Sequence, residues 1–257
     1  MKIKQSDELF DLLEAKYHLY NTEGFVEDDP ISIPHQFSLK EDVEIAGFLA
    51  ATIAWGQRVT IINNANKILR MMDYAPHDFI LNHTARDLEK TEGFVHRTFN
   101  SLDLRFFFKS LQNIYKHHGG LEASFLQKTG SENSISNFKK LFFSIDHERR
   151  TQKHVADPLK KSTAKRINMY LRWMVRNDQN GVDFGIWKTH KTKDLMIPLD
   201  VHTGNVGRSL GLLTRKQNDW QAVEELTASL RQFDSNDPVK YDFALFGMGV
   251  NGDIQST

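Results

Sequence analysis

The chain has 257 residues, with 33 Lys and Arg against 33 Asp and Glu, so no whole-molecule field points to a nucleic acid or a membrane. It contains no cysteine, which excludes disulfides, thiolate-bound zinc, iron–sulfur clusters and thiol nucleophiles together. No apolar run reaches the roughly 20 residues of a membrane span, and the opening "MKIKQSDELFDLLEAKY" is charged and amphipathic, so a soluble, cytoplasmic protein is expected.

Helical spacing dominates from the start. "SDELFDLLEAKY" reads as a helix beginning at Ser6 or Asp7, followed by an extended Pro-containing loop, "DDPISIPHQF". "KEDVEIAGFLAATIAWG" is apolar nearly all round from Val43 to Trp55, the pattern of a helix buried on every side. Gly56 ends it, and "TIINNANKILRMM" starts another with Ile61, Ile62, Ala65, Ile68 and Leu69 on one face. Asp103 is a candidate cap for "LRFFFKSLQNIYKHH", which Gly119 and Gly120 stop. Further helices are predicted at Leu121–Gln127, Ile135–Ile145, Thr163–Arg176, Val201–Leu210, Trp220–Arg231 and, behind Asp237, Pro238–Met248. No stretch alternates with period two for long, and "GVDFGIW" and "LMIPL" are short enough to be connectors. The class is all-α, with about ten helices.

Charge is uneven along the chain. Thr151 to Lys216 carries thirteen Lys and Arg against five Asp and no Glu. Within it, Lys165, Met169, Arg172 and Arg176 follow one another on one face of the predicted helix, with Ser162 or Thr163 as its N-cap. That face reads either as a solvated basic surface or as a helix offering cations and backbone amides to phosphates. In "LMIPLDVHTGNVGRSLG", Pro198 stops the apolar run and Asp200 caps the helix after it. Gly204 and Gly207 cost about 1 kcal/mol each against alanine inside a helix, which implies that a backbone, a ligand or a phosphate approaches closely there. The histidines show no metal-ligand spacing, and no Gly-rich phosphate loop is present.

Two of these segments together resemble a known superfamily. "IPLDVHTGNVGRSLGL" is similar to the aspartate-bearing segment of helix-hairpin-helix DNA glycosylases, and "AKRINMYLRWMV" to the helix that opens with the catalytic lysine in the lyase-competent members, above all the 8-oxoguanine glycosylases of archaeal type. The chain looks like an uncharacterised bacterial family within that superfamily. The resemblance makes Lys165 the nucleophile and Asp200 the catalytic aspartate. In the family the amine attacks C1′ of the damaged nucleotide, displaces the base and forms a Schiff base that permits strand cleavage. The attacking amine must be neutral, through desolvation or a neighbouring cation such as Arg166, and the carboxylate stabilises oxocarbenium-like charge on the sugar.

The family's hairpin usually carries a Gly-x-Gly turn that holds a phosphate; the corresponding stretch here, "ADPLKKSTAKR", has no glycine. Phosphate binding there falls to Lys160, Lys161, Ser162 and the helix N-terminus. The resemblance also implies that Gln57 fills the gap left by a flipped base, beside Arg58 as a backbone contact; a polar turn after a helix is the plainer reading. His202, Gly204 and Arg208 join the nucleic-acid contacts, His202 either orienting Asp200 or meeting a phosphate. Phe243 and Phe246 are candidates to line a base pocket, although phenylalanine at helical spacing is more often core.

The expectation is therefore a two-lobed helical glycosylase fold, with a helical barrel over residues 41–176 and a second lobe from 1–40 plus 177–257. Its activity would be that of a DNA repair hydrolase, a DNA glycosylase with abasic-site lyase activity, with an oxidised purine as the first candidate lesion. The partner is damaged double-stranded DNA; no cofactor, metal, nucleotide or membrane is expected, and the protein is expected to be a monomer. The alternative is a catalytically silent relative that binds nucleic acid or a partner protein.

Overall fold

The computed structural model describes residues 2–126 and 131–253. Among these the chain is mostly helical, with one two-stranded antiparallel hairpin. In chain order the helices are α1 (Lys2–Tyr20), α2 (Glu23–Glu27), α3 (Lys40–Thr52), α4 (Arg58–Met71), α5 (Pro76–Asn82) and α6 (Ala85–Glu89). The hairpin of β1 (Val95–His96) and β2 (Phe99–Asn100) follows, then α7 (Ser101–His117), α8 (Gly120–Ser124) and α9 (Ser131–Phe142). The remainder holds α10 (Lys165–Val175), α11 (Val201–Ser209), α12 (Trp220–Leu230) and α13 (Tyr241–Asn251).

Helix α3 is buried from Val43 to Thr52 without a break, as its mainly apolar run requires, and the charged residue within it, Glu44, accepts the Tyr115 hydroxyl at 2.7 Å. Other boundaries move for local reasons. Helix α1 begins at Lys2, four residues before Ser6. The stretch after α2 is not extended: Pro30–Ser32 and Pro34–Gln36 are 3-10 turns, each opened by a proline whose fixed φ suits a first helical turn. The cap of α7 is Asn100 rather than Asp103; Asp103 stands three residues into a capping box and bonds back to the Asn100 amide. Strands of two residues are too short to show alternation, and α5 and α6 are too short to show a stripe. The helix predicted over Leu121–Gln127 forms as α8, and Gln127 lies outside the described residues.

The chain divides into two compact units, one formed by Val26–Ala156 and the other by the stretches up to Phe25 and from Asp157 onward. The sequence placed this division elsewhere. Residues 26–40 belong with α3 because Ile31, Ile33 and Pro34 are buried in that unit. Residues 157–176 leave the expected 41–176 barrel because the partners of α10 follow it in the chain: Tyr170 meets Trp187 edge to face at 5.5 Å, and Arg172 and Arg176 pair with aspartates from Asp178 to Asp242.

The core of the Val26–Ala156 unit is aromatic. Phe48 of α3 meets Phe107, Phe138 and Phe142 at centroid distances of 5.9, 5.5 and 5.5 Å. A buried polar lock sits beside it. Asp103, fully buried, accepts from Thr151 Oγ1 (2.7 Å), Arg150 Nη1 (2.7 Å) and the Asn100 amide (3.0 Å), with His154 Nε2 3.2 Å away. Burial alone would raise this carboxyl's pKa, but the bonds from His154, Thr151 and Asn100 hold it well below the usual carboxylate range. No helix among the described residues is long and apolar enough to cross a membrane.

Candidate active site

The start of α10 is an unusual helix entry. Pro158–Lys160 forms a 3-10 turn, Lys161 takes φ +67°, and Ala164 takes φ +47° as the residue before the helix. The predicted cap residues do not serve in that place; instead Ser162 Oγ accepts the Ala164 amide at 3.2 Å. Left-handed backbone costs a non-glycine residue about 1–2 kcal/mol; Ala164 is buried, and the exposed Lys161 donates its amide to the Pro158 carbonyl at 2.7 Å. Their effect is to turn the chain so that Lys165 is the first residue of α10.

The second element arrives from a buried, extended run. Leu195, Met196, Ile197 and Leu199 are all in the core, and the chain emerges at Asp200. Asp200 caps α11, Oδ1 accepting the Thr203 amide at 3.0 Å. Its other oxygen, Oδ2, stands 3.7 Å from Lys165 Nζ, and the two side chains keep 23 % and 28 % of their surface exposed. The carboxylate thus does two things with two atoms: one holds the helix, the other faces the amine.

Helix α13 supplies the third side. The Lys165 amine lies 5.9 Å from the centroid of the half-buried Phe246 ring, within cation–π range, and His202 meets the same ring edge-on at 6.4 Å. A Cβ on Gly249 would stand 2.9 Å from His202 Cβ and 3.3 Å from its backbone, so the absent side chain lets α11 approach α13. The structure therefore brings Lys165, Asp200, His202 and Phe246 together. Phe243 is excluded from this group: it is 1 % exposed, and the Arg172 guanidinium lies 4.2 Å above its ring. It is core, which corrects its placement in a base pocket.

Beyond Lys165, the basic face of α10 is neither solvated nor open to phosphates. Arg172 and Arg176 are 3 % and 1 % exposed. Arg172 pairs with Asp183 at 3.2 Å and with Asp242. Arg176 pairs with Asp178, Asp183 and Asp237 at 2.6, 2.9 and 2.8 Å and donates to the Tyr17 hydroxyl. Each guanidinium is held by single bonds to several carboxylates, as a buried charge requires, and the aspartates that supply them are scattered too widely in sequence to be read as a cluster.

One of them bears on the site and was missed. Asp242 is buried on α13, one helical turn before Phe246. Burial pushes its carboxyl up to about 6; the Arg172 charge opposes this, the Asp200 charge adds to it, and Lys165 pulls it down. A third titratable group is thus coupled to the Lys165–Asp200 pair. Its signal in the sequence was only the aspartate one turn before Phe246, which no local pattern distinguishes from an ordinary first-turn acid.

The remaining predicted residues are distributed as follows. The close approach implied by Gly204 is real but internal: a Cβ there would meet Asn218 Oδ1 at 2.9 Å and Arg208 Nη1 at 3.0 Å, while Gly207 faces Leu226. Arg208 is occupied, donating to the Arg215 and Lys216 carbonyls and to Asn218 Oδ1 at 2.8, 3.0 and 2.6 Å. Arg166 is half-buried, and burial lowers its guanidinium to about 10, so it stays cationic at neutral pH. Lys160 and Lys161 are exposed beside the half-buried Ser162. Gln57 and Arg58 are exposed at the start of α4 in the other unit. Among the described residues, no group of three or more His, Asp or Glu side chains is arranged to hold a metal ion.

Residues 29–251 match the model of a family described as a protein of unknown function (DUF2400). The chain belongs to that family. The match takes in nearly all of the Val26–Ala156 unit together with Lys165, Asp200, Asp242 and Phe246. No curated protein and no solved structure matches the chain. Since the family's description carries no chemistry, the functional reading rests on the geometry of these side chains.

Proposed function

We propose that this protein is a DNA glycosylase with associated lyase activity, acting on a damaged base in double-stranded DNA, with an oxidised purine as the first candidate. The observation that carries the reading is the Lys165–Asp200 pair: two residues 35 apart in sequence that meet at 3.7 Å, both partly exposed, beside the ring of Phe246.

In this reading the Lys165 amine attacks C1′ of the damaged nucleotide. The C1′–N bond breaks, the base leaves with the bonding pair and takes up a proton, and the amine becomes bonded to the sugar. Asp200 Oδ2 balances positive charge developing on the sugar and accepts the proton the amine gives up. Ring opening yields a Schiff base, and loss of a C2′ proton then expels the 3′ phosphate. The exposed face of Phe246 supplies an apolar surface for the extruded base. The turn at Lys160–Ala164 supports the same reading, because Lys161 and Ala164 adopt without glycine the left-handed backbone that glycine favours. The helix-hairpin-helix glycosylase fold and an intracellular site of action belong to this proposal.

The test is borohydride trapping on duplexes carrying 8-oxoguanine, other oxidised purines or an abasic site. The wild-type chain is expected to form a covalent adduct that Lys165→Ala abolishes. If no lesion or abasic duplex yields an adduct, or if Lys165→Ala yields as much, the lyase reading is wrong.

A further inference from the structure

The loop between α3 and α4 and the hairpin of β1 and β2 form one braced edge on the Val26–Ala156 unit. Gly56 takes φ +109°, a backbone only glycine adopts readily, and carries the chain from Trp55 to Gln57. The hairpin is tied to this loop from beneath. Asn64 Nδ2 donates to His96 Nδ1 at 2.9 Å, which leaves His96 Nε2 to donate to the Trp55 carbonyl at 3.1 Å. The Trp55 ring meets the His96 ring edge to face at 5.0 Å, and Arg150 Nη2 donates to the Thr98 carbonyl at 2.9 Å, fixing the far side of the turn.

At the tip stands Arg97. With His96 paired to Phe99, the turn is the two residues Arg97 and Thr98, and Arg97 takes φ +54°. The first position of such a turn favours glycine, and arginine there costs about 1–2 kcal/mol of backbone strain. That strain retains a side chain where none is needed for the turn. The Arg97 side chain lies across Gly56, its Cδ and Nη1 each 3.4 Å from where a Gly56 Cβ would stand. It is exposed, and among the described residues its guanidinium makes no hydrogen bond or ion pair. Residues 56–59 and 95–98 contain Arg58 and Arg97 and no acid, and Val59 and Val95 on either side are 71 % and 60 % exposed.

We infer that Arg97 is a phosphate-binding residue, and that the edge from Gly56 to Val59 with Val95 to Thr98 grips the phosphodiester backbone of duplex DNA. An exposed cation on a braced, strained turn, with Val59 and Val95 exposed beside it and no acid in residues 56–59 or 95–98, suits the extended polyanion of a nucleic-acid backbone. This rests on the glycosylase reading for the identity of the partner, and not on Lys165 or Asp200 for its geometry.

The experiment measures binding of the full chain to a fluorescent duplex carrying an uncleavable abasic analogue, by anisotropy over a series of salt concentrations. Arg97→Ala is expected to lower the slope of log affinity against log salt by about 0.9, the value for one phosphate contact, and to weaken binding about three- to tenfold at physiological salt. Arg97→Gly, which relieves the strained φ, should show the same loss without loss of stability. Lys116→Ala, an exposed charge on α7, should leave both quantities unchanged. The inference is overturned if the wild type binds no duplex, or if it binds and Arg97→Ala and Arg97→Gly keep its slope. Trapping separates the two readings: an adduct with unchanged Arg97 slopes sinks only this one, and an Arg97-dependent slope without any adduct sinks only the lyase.

Discussion

Asp200→Asn separates the two tasks given to Asp200. The substitution keeps Oδ1 for the Thr203 amide and puts an NH2 group where Oδ2 faced Lys165. Asparagine is as good an N-cap as aspartate, so the cap itself is nearly unchanged. The ion pair is lost, but between groups a quarter exposed it contributes about 1 kcal/mol at most, and the lost charge at the helix N-terminus about 0.3–1 kcal/mol. Stability should thus fall by roughly 1 kcal/mol or a little more. The rate of Schiff-base trapping should fall about 10²- to 10⁴-fold, the range for removing a positioned acid–base group. Asp200→Ala should match it in rate and lose a further ~1 kcal/mol for the missing cap. Urea unfolding followed by tryptophan fluorescence and single-turnover trapping measure the two quantities on the same preparations. If Asp200→Asn traps within about threefold of wild type, Oδ2 has no chemical role and the pair is a surface ion pair.

Two carboxyls give opposite pH signatures. Asp103 is held below its unfolded value of about 3.9, so its contribution is complete above that pH and is lost as pH falls through the lower, folded value. Asp103→Asn should cost about 3 kcal/mol and remove that acid dependence, with hydrogen exchange quickening over residues 149–155; unchanged exchange there would refute the lock. Asp242 is raised to about 6, so its contribution is complete below its unfolded pKa and is lost as pH rises through 6. That window is worth about 3 kcal/mol, and the stability of wild type relative to Asp242→Asn should fall mainly between about pH 4 and 6; a gap that does not change with pH would show that the Arg172 pair keeps Asp242 ionised throughout.

What the sequence revealed and what it hid divide by the range of the interactions. The burial of α3 was legible because nearly every residue of the stretch is apolar, Glu44 and Thr52 excepted, and the Asp200 cap because its partner is three residues away. The inward turn of Arg172 and Arg176 was not, because a basic stripe on a helix looks the same whether water or distant aspartates face it; the partner at Asp242 is 70 residues on. The cap at Ala164 was hidden by a backbone conformation that alanine rarely adopts. The edge around Arg97 was hidden for a related reason: its hairpin is too short for a period, and the strain at its tip exists only in three dimensions.

The missing side chain at Gly249 sets how closely α11, with Asp200 at its cap and His202 in its first turn, can approach α13, the helix that carries Phe246. The gap is only as wide as two helix backbones in contact, so its dimension is fixed by the one thing a chain cannot shorten further. Any substitution at this crossing can act in one direction only, by opening it. In a family sharing this architecture, the tolerance of the site to drift is therefore asymmetric: changes among the groups facing solvent are adjustable in either sense, whereas a single added carbon at the crossing moves the whole of one wall.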